Sequence, residues 1–135
     1  MTRLKNYAPA VGWGIFILIL SVIPGKDIPT IESPLDLIKM DKFVHMTLYA
    51  VFIWQILRGY RSKNDIEGKR YEAKHYLSVG IIAVLFACLF GFFLEWFQEN
   101  YCKDRGFEWY DGIANTLGAL LATVTFYFFQ RKHGQ

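Results

Sequence analysis

Cysteine is scarce: the 135 residues hold two, Cys88 inside an apolar run and Cys102 beyond its end. A helix rising about 1.5 Å per residue sets them roughly 20 Å apart by depth, too far for a bridge. The chain therefore has neither a disulfide framework nor a CxxC zinc pattern. HExxH and aspartate-rich metal motifs are absent, so neither a metal nor any other cofactor is expected. The GxSxG elbow of serine hydrolases is missing as well. Net charge is only +3. With no basic stripe interleaved with stacking aromatics, no nucleic-acid partner is expected. Internal repeats and low-complexity tracts are also lacking.

What the chain does have is apolar residues, at 53%, and aromatics, at 18%, above the usual content of a soluble domain. They are gathered into four blocks, Ala8 to Ile23, Phe43 to Leu57, Leu77 to Phe97 and Gly112 to Phe129. The expectation is one all-α domain over residues 1–135, a bundle of four transmembrane helices at about 8–23, 43–57, 77–97 and 112–129. The third and fourth blocks are long enough to span; the first two must borrow flanking residues. For the second block the competing reading is a re-entrant or interfacial segment. The first block follows Arg3 and Lys5 and could pass for a signal peptide, but Ser21-Val22-Ile23-Pro24-Gly25 is a poor cleavage site.

Charge sets the orientation. Ten basic residues fall before block one, between blocks two and three and after block four, against five on the other side. The positive-inside rule then places both termini in the cytoplasm of a multi-pass plasma or inner-membrane protein. In the outer loop, Ser33-Pro34 reads as an N-cap and first-turn proline opening a short interfacial helix through Met40. The Arg58 to His75 segment reads as a solvated connector.

Polar residues collect at one face of the membrane. Asp41, Lys42 and His45 open the second helix, Glu95 and Gln98 close the third, Arg105 lies in the outer loop, and Asp111 and Asn115 open the fourth. Helical spacing gives three stripes: Asp41, His45, Leu48, Phe52; Gly91, Glu95, Gln98; and Asp111, Asn115, Gly118, Ala122, Thr125. The small residues of the third stripe, with Gly91, predict close packing of helices three and four, with Glu95 facing Asp111 and Asn115. Each residue also has a plain reading. Asp41 and Asp111 sit where N-caps belong, Asn115 could bond between helices, Arg105 could touch lipid phosphate, and His45 could pair with Asp41. Glu95 resists such a reading, because the macrodipole disfavours an anion near a helix C-terminus. Glu95, His45 and Asp111 are thus the candidate catalytic groups, by acid–base chemistry. Arg105, Lys42, Asp41, Gln98 and Asn115 are the candidate substrate-binding groups, with the two cations suited to phosphate. The expected partners are membrane lipids and a phosphorylated lipid headgroup at the outer leaflet.

These motifs, Asp41-Lys42-x-x-His45, Glu95-x-x-Gln98, Arg105 and Asp111-x-x-Ala114-Asn115-x-x-Gly118, resemble the VanZ-like family of small bacterial membrane proteins. The resemblance runs from about Asp41 to Ala122. It implies a cell-envelope role with an extracytoplasmic polar site, linked through the family's namesake to resistance to the glycopeptide antibiotic teicoplanin. One departure is Glu99 to Asp104, more charged than the apolar, proline-bearing turn of the family. Three readings follow: an enzyme acting on a phosphorylated or glycosylated lipid or cell-wall precursor, a protein that binds or shields such a molecule without turnover, and a transport-accessory component.

Overall fold

The computed structural model describes residues 5–22, 34–102 and 108–133, with the side chains of 34–40 excepted. Four helices carry the described chain: α1 (Ala8–Val22), α2 (Pro34–Ile66), α3 (Ala73–Tyr101) and α4 (Trp109–His133). No strand occurs among the described residues. Two helices, α3 and α4, are long and apolar enough to cross a membrane, and α1 is apolar but shorter.

The second helix departs most from the apolar pattern. It opens at Pro34 and runs without a break for 33 residues, joining the segment expected to form a separate interfacial helix to the apolar block and to nine residues beyond it. No proline follows Pro34 in this run, so no N–H is missing and no ring clashes with a preceding carbonyl. The helix ends at Gly68, whose φ is +69°. There Lys69 N–H donates to the Asn64 carbonyl at 2.9 Å and Gly68 N–H to that of Asp65 at 3.2 Å. This is a Schellman closure, in which glycine takes the left-handed conformation at no steric cost. The Arg58 to His75 segment is therefore largely the last turns of α2 and the first of α3, not a free connector.

Helix α4 packs against both α2 and α3. A stripe of small and polar residues, Asp111, Asn115, Gly118 and Ala122, is buried, but Thr125 is exposed and Phe126 takes its place in the core. The partner of Gly118 differs from expectation. A Cβ there would fall on the Met46 carbonyl oxygen, so this glycine sets the approach of α4 to α2 rather than to α3. The close α3–α4 approach is made at Gly91 against Asn115, as expected, at Gly112 against Phe92, and at Gly80 against the Thr123 side chain. The core between the helices holds Tyr49, Ile53, Leu57, Ala87, Ala119 and Phe126.

Candidate functional site

Alternation of the helices brings the start of α2, the end of α3 and the start of α4 to one end of the bundle. There a continuous polar network joins all three. Lys42 is its centre. The ammonium donates to Asp41 Oδ2 at 3.0 Å, to Glu108 Oε2 at 2.6 Å and to Asp111 Oδ1. Asp111 is buried, Lys42 half-buried, and Asp41 and Glu108 exposed. One cation thus holds three carboxylates together, two of them exposed and one buried.

His45, one turn further along α2, joins the same group. Its Nδ1 lies 3.1 Å from Asn115 Oδ1, and its Nε2 lies 3.4 Å from Asp111 Oδ2 and 3.7 Å from Asp41 Oδ1. Nδ1–H donates to Asn115, which leaves Nε2 turned toward both carboxylates. An imidazole fixed in this way can move a proton between them, or to a hydroxyl placed beside them. Asn115 is buried, and its amide nitrogen lies against Gly91, as does the hydroxyl of Tyr49.

Glu95 is 3% exposed. Its Oε2 accepts a hydrogen bond from the backbone N–H of Glu108 at 3.1 Å. Because α3 continues to Tyr101, Glu95 stands well over a turn before the helix end, and the macrodipole argument weakens accordingly. What stabilises the side chain is the backbone at the entry to α4. Glu108 therefore serves twice, its side chain holding Lys42 and its backbone holding Glu95.

The structure brings Asp41, Lys42, His45, Glu95, Asp111 and Asn115 into one site. Gln98 is buried in the same end of the bundle, but its amide nitrogen donates to the Ser21 carbonyl at 2.9 Å. That bond ties α3 to the end of α1. Arg105 lies outside the described residues, as do Ser33 and the prolines at 24 and 29. Capping does not account for the two aspartates. Asp41 lies inside α2, and the Asp111 carboxylate is spent on Lys42 and His45. The sequence reading overlooked Glu108 and Tyr49. Tyr49 stands four residues after His45, on the same helical face, and Glu108 immediately precedes α4, close to Asp111.

Compared with protein-family models, curated proteins and solved structures, the chain matches none. The site must therefore be read from its own chemistry. One ligand atom from each of Asp41, His45 and Asp111 can be chosen so that all lie within 4.8 Å of one another, close enough to share a metal ion. The Lys42 ammonium bonds to both of these carboxylates, supplying the positive charge that a divalent ion would bring. The lysine takes Asp41 Oδ2 and Asp111 Oδ1, whereas the oxygens nearest His45 Nε2 are Asp41 Oδ1 and Asp111 Oδ2.

Proposed function

We propose that this chain is a four-span membrane protein of the bacterial cell envelope, similar to the VanZ-like proteins. Both termini are cytoplasmic, and the polar site lies at the outer face. The bundle turns bare hydrocarbon outward along its length, which supports the membrane reading. Leu89 is 72% exposed and Ile82 68%, with Leu85, Phe86 and Phe93 on α3 and Ile113, Leu117 and Leu121 on α4 beside them. Exposed apolar surface so extensive marks a contact with lipid or with another protein. The distribution of basic residues supplies the orientation.

The ligand class follows from Lys42. It is the one lysine or arginine at this end whose side chain is described, and three carboxylates surround it. Ionised carboxylates only accept hydrogen bonds. A site of this composition favours a donor-rich partner, with the hydroxyl or amino groups of a glycosylated lipid or cell-wall precursor, over a bare phosphate. The carrying observation is the placement of Lys42 among Asp41, Glu108 and Asp111. Binding or shielding without turnover is the second reading. It is favoured because both ring nitrogens of His45 and one oxygen of Glu95 already have protein neighbours.

Native mass spectrometry of the full chain, purified from its membrane, tests the ligand. Retention of a glycosylated lipid or cell-wall precursor that is lost in Asp111→Asn is expected, together with loss of any teicoplanin tolerance the chain confers. Retention of phospholipid alone, unchanged in the variant, would overturn the assignment.

A further inference from the structure

The opposite end of the bundle carries a polar concavity, unconnected with the network around Lys42. A cleft of about 540 Å³ opens between the end of α2, the turn after it and the end of α4, lined by Arg61, Asp65, Arg70, Tyr71, Tyr76 and Gln130 among others. An adjoining hollow of about 340 Å³ shares Arg61 and Asp65 and adds Arg58 with Trp54, Phe126 and Phe129. The two together bring three arginines to one aspartate, with an aromatic lane beside them.

Three details point to an anion. Arg61 meets Asp65 only through Nε, at 3.6 Å, beyond hydrogen-bond range. Its guanidinium lies over the Phe129 ring, 5.7 Å from the centroid. Arg70 has no ion-pair partner among the described residues and is exposed. Gln130 is 4% exposed, lines the cleft, and has no hydrogen-bond partner for its Nε2. A buried amide donor without an acceptor is costly, by about 1–3 kcal/mol in general. An acceptor delivered into the cleft would remove that cost.

We propose that this cleft binds a phosphate group, with Arg61 and Arg70 as the charged donors and Gln130 as the buried neutral one. Guanidinium groups give phosphate two parallel hydrogen bonds, and basic pockets between membrane helices on the cytoplasmic side take anionic lipid headgroups. The phosphate can come from such a headgroup, with its acyl chain along Trp54 and Phe129, or from a soluble phosphorylated compound.

The test uses the full chain in nanodiscs of phosphatidylcholine with and without phosphatidylglycerol, and separately with inorganic phosphate against chloride at equal ionic strength. Bound phosphatidylglycerol is read by native mass spectrometry, and phosphate by the shift in thermal midpoint. Arg70→Gln, at an exposed position that leaves the fold intact, and Gln130→Leu should each lower retention about five-fold, the equivalent of roughly 1 kcal/mol. Lys132→Gln, which removes a nearby charge outside the cleft, should leave it unchanged. A response to phosphatidylglycerol alone identifies a lipid headgroup, and a response to inorganic phosphate identifies a soluble source. No response to either overturns the site, as does an equal loss in Lys132→Gln, which would reduce the arginines to general surface charge.

Discussion

Glu95 on α3 accepts the backbone N–H of Glu108 at 3.1 Å, so a buried carboxylate closes the entry to α4. Glutamine can accept the same bond; leucine cannot. Glu95→Gln should therefore insert and unfold near the native temperature while losing ligand or phenotype. Glu95→Leu should lose about 1–3 kcal/mol through the unpaired N–H. Thermal unfolding in detergent beside a binding measurement separates the two. A Glu95→Gln protein with a full complement of ligand per folded molecule would make this carboxylate purely structural.

Lys42 holds Asp111 in a largely buried ion pair. Removing one member of such a pair strands the other, at about 3–5 kcal/mol when burial is complete. Lys42→Met should destabilise by somewhat less than that, because 21% of the Lys42 side chain is exposed. Adding Asp111→Asn should restore part of the loss. Denaturant unfolding of both single variants and the double variant measures the coupling. Strict additivity would show that the two residues do not depend on each other.

Gly118 and Gly80 should respond differently to alanine. The new methyl at 118 meets backbone, the Met46 carbonyl, whereas at 80 it meets only side-chain atoms, those of Thr123. Gly118→Ala should lower the yield of folded monomer sharply and Gly80→Ala only modestly, as read by size-exclusion chromatography after thermal challenge. The reverse order would mean that α4 packs on α3 more tightly than on α2.

Orientation has a direct chemical readout. Cys102 follows the last turn of α3 at the proposed outer face, and Cys88 faces Thr116 at 3.2 Å between helices. An impermeant thiol reagent added to intact cells should modify Cys102 and leave Cys88 untouched. Labelling of Cys102 only after the inner face is opened would reverse the topology.

Much of this arrangement was written in hydropathy. Four apolar blocks placed four helices, and alternation alone brought Asp41, His45, Glu95, Asp111 and Asn115 to one end. The rotation of each helix about its axis was less legible. Hydropathy does not record it, so Gly118 was assigned to α3 when it meets α2. The extent of α2 was hidden too. Its last turns, Arg58 to Ile66, are polar and read as loop, and the helix closes only at Gly68 after them. Glu108 escaped notice because its backbone N–H matters as much as its side chain, and residue type does not announce that.

At about 1.5 Å per residue, the 33 residues of α2 make a rod of roughly 50 Å, longer than the 40–45 Å of a bilayer with its headgroups. Asp41 and His45 stand near one tip, Arg61 and Asp65 near the other, and no proline lies between them. In the proposed four-span bundle such a rod would accommodate its length by tilting. On the four-span reading, a smaller tilt carries both tips away from the bilayer centre and a larger tilt draws both toward it. Membrane thickness would then act on both ends of the protein at once.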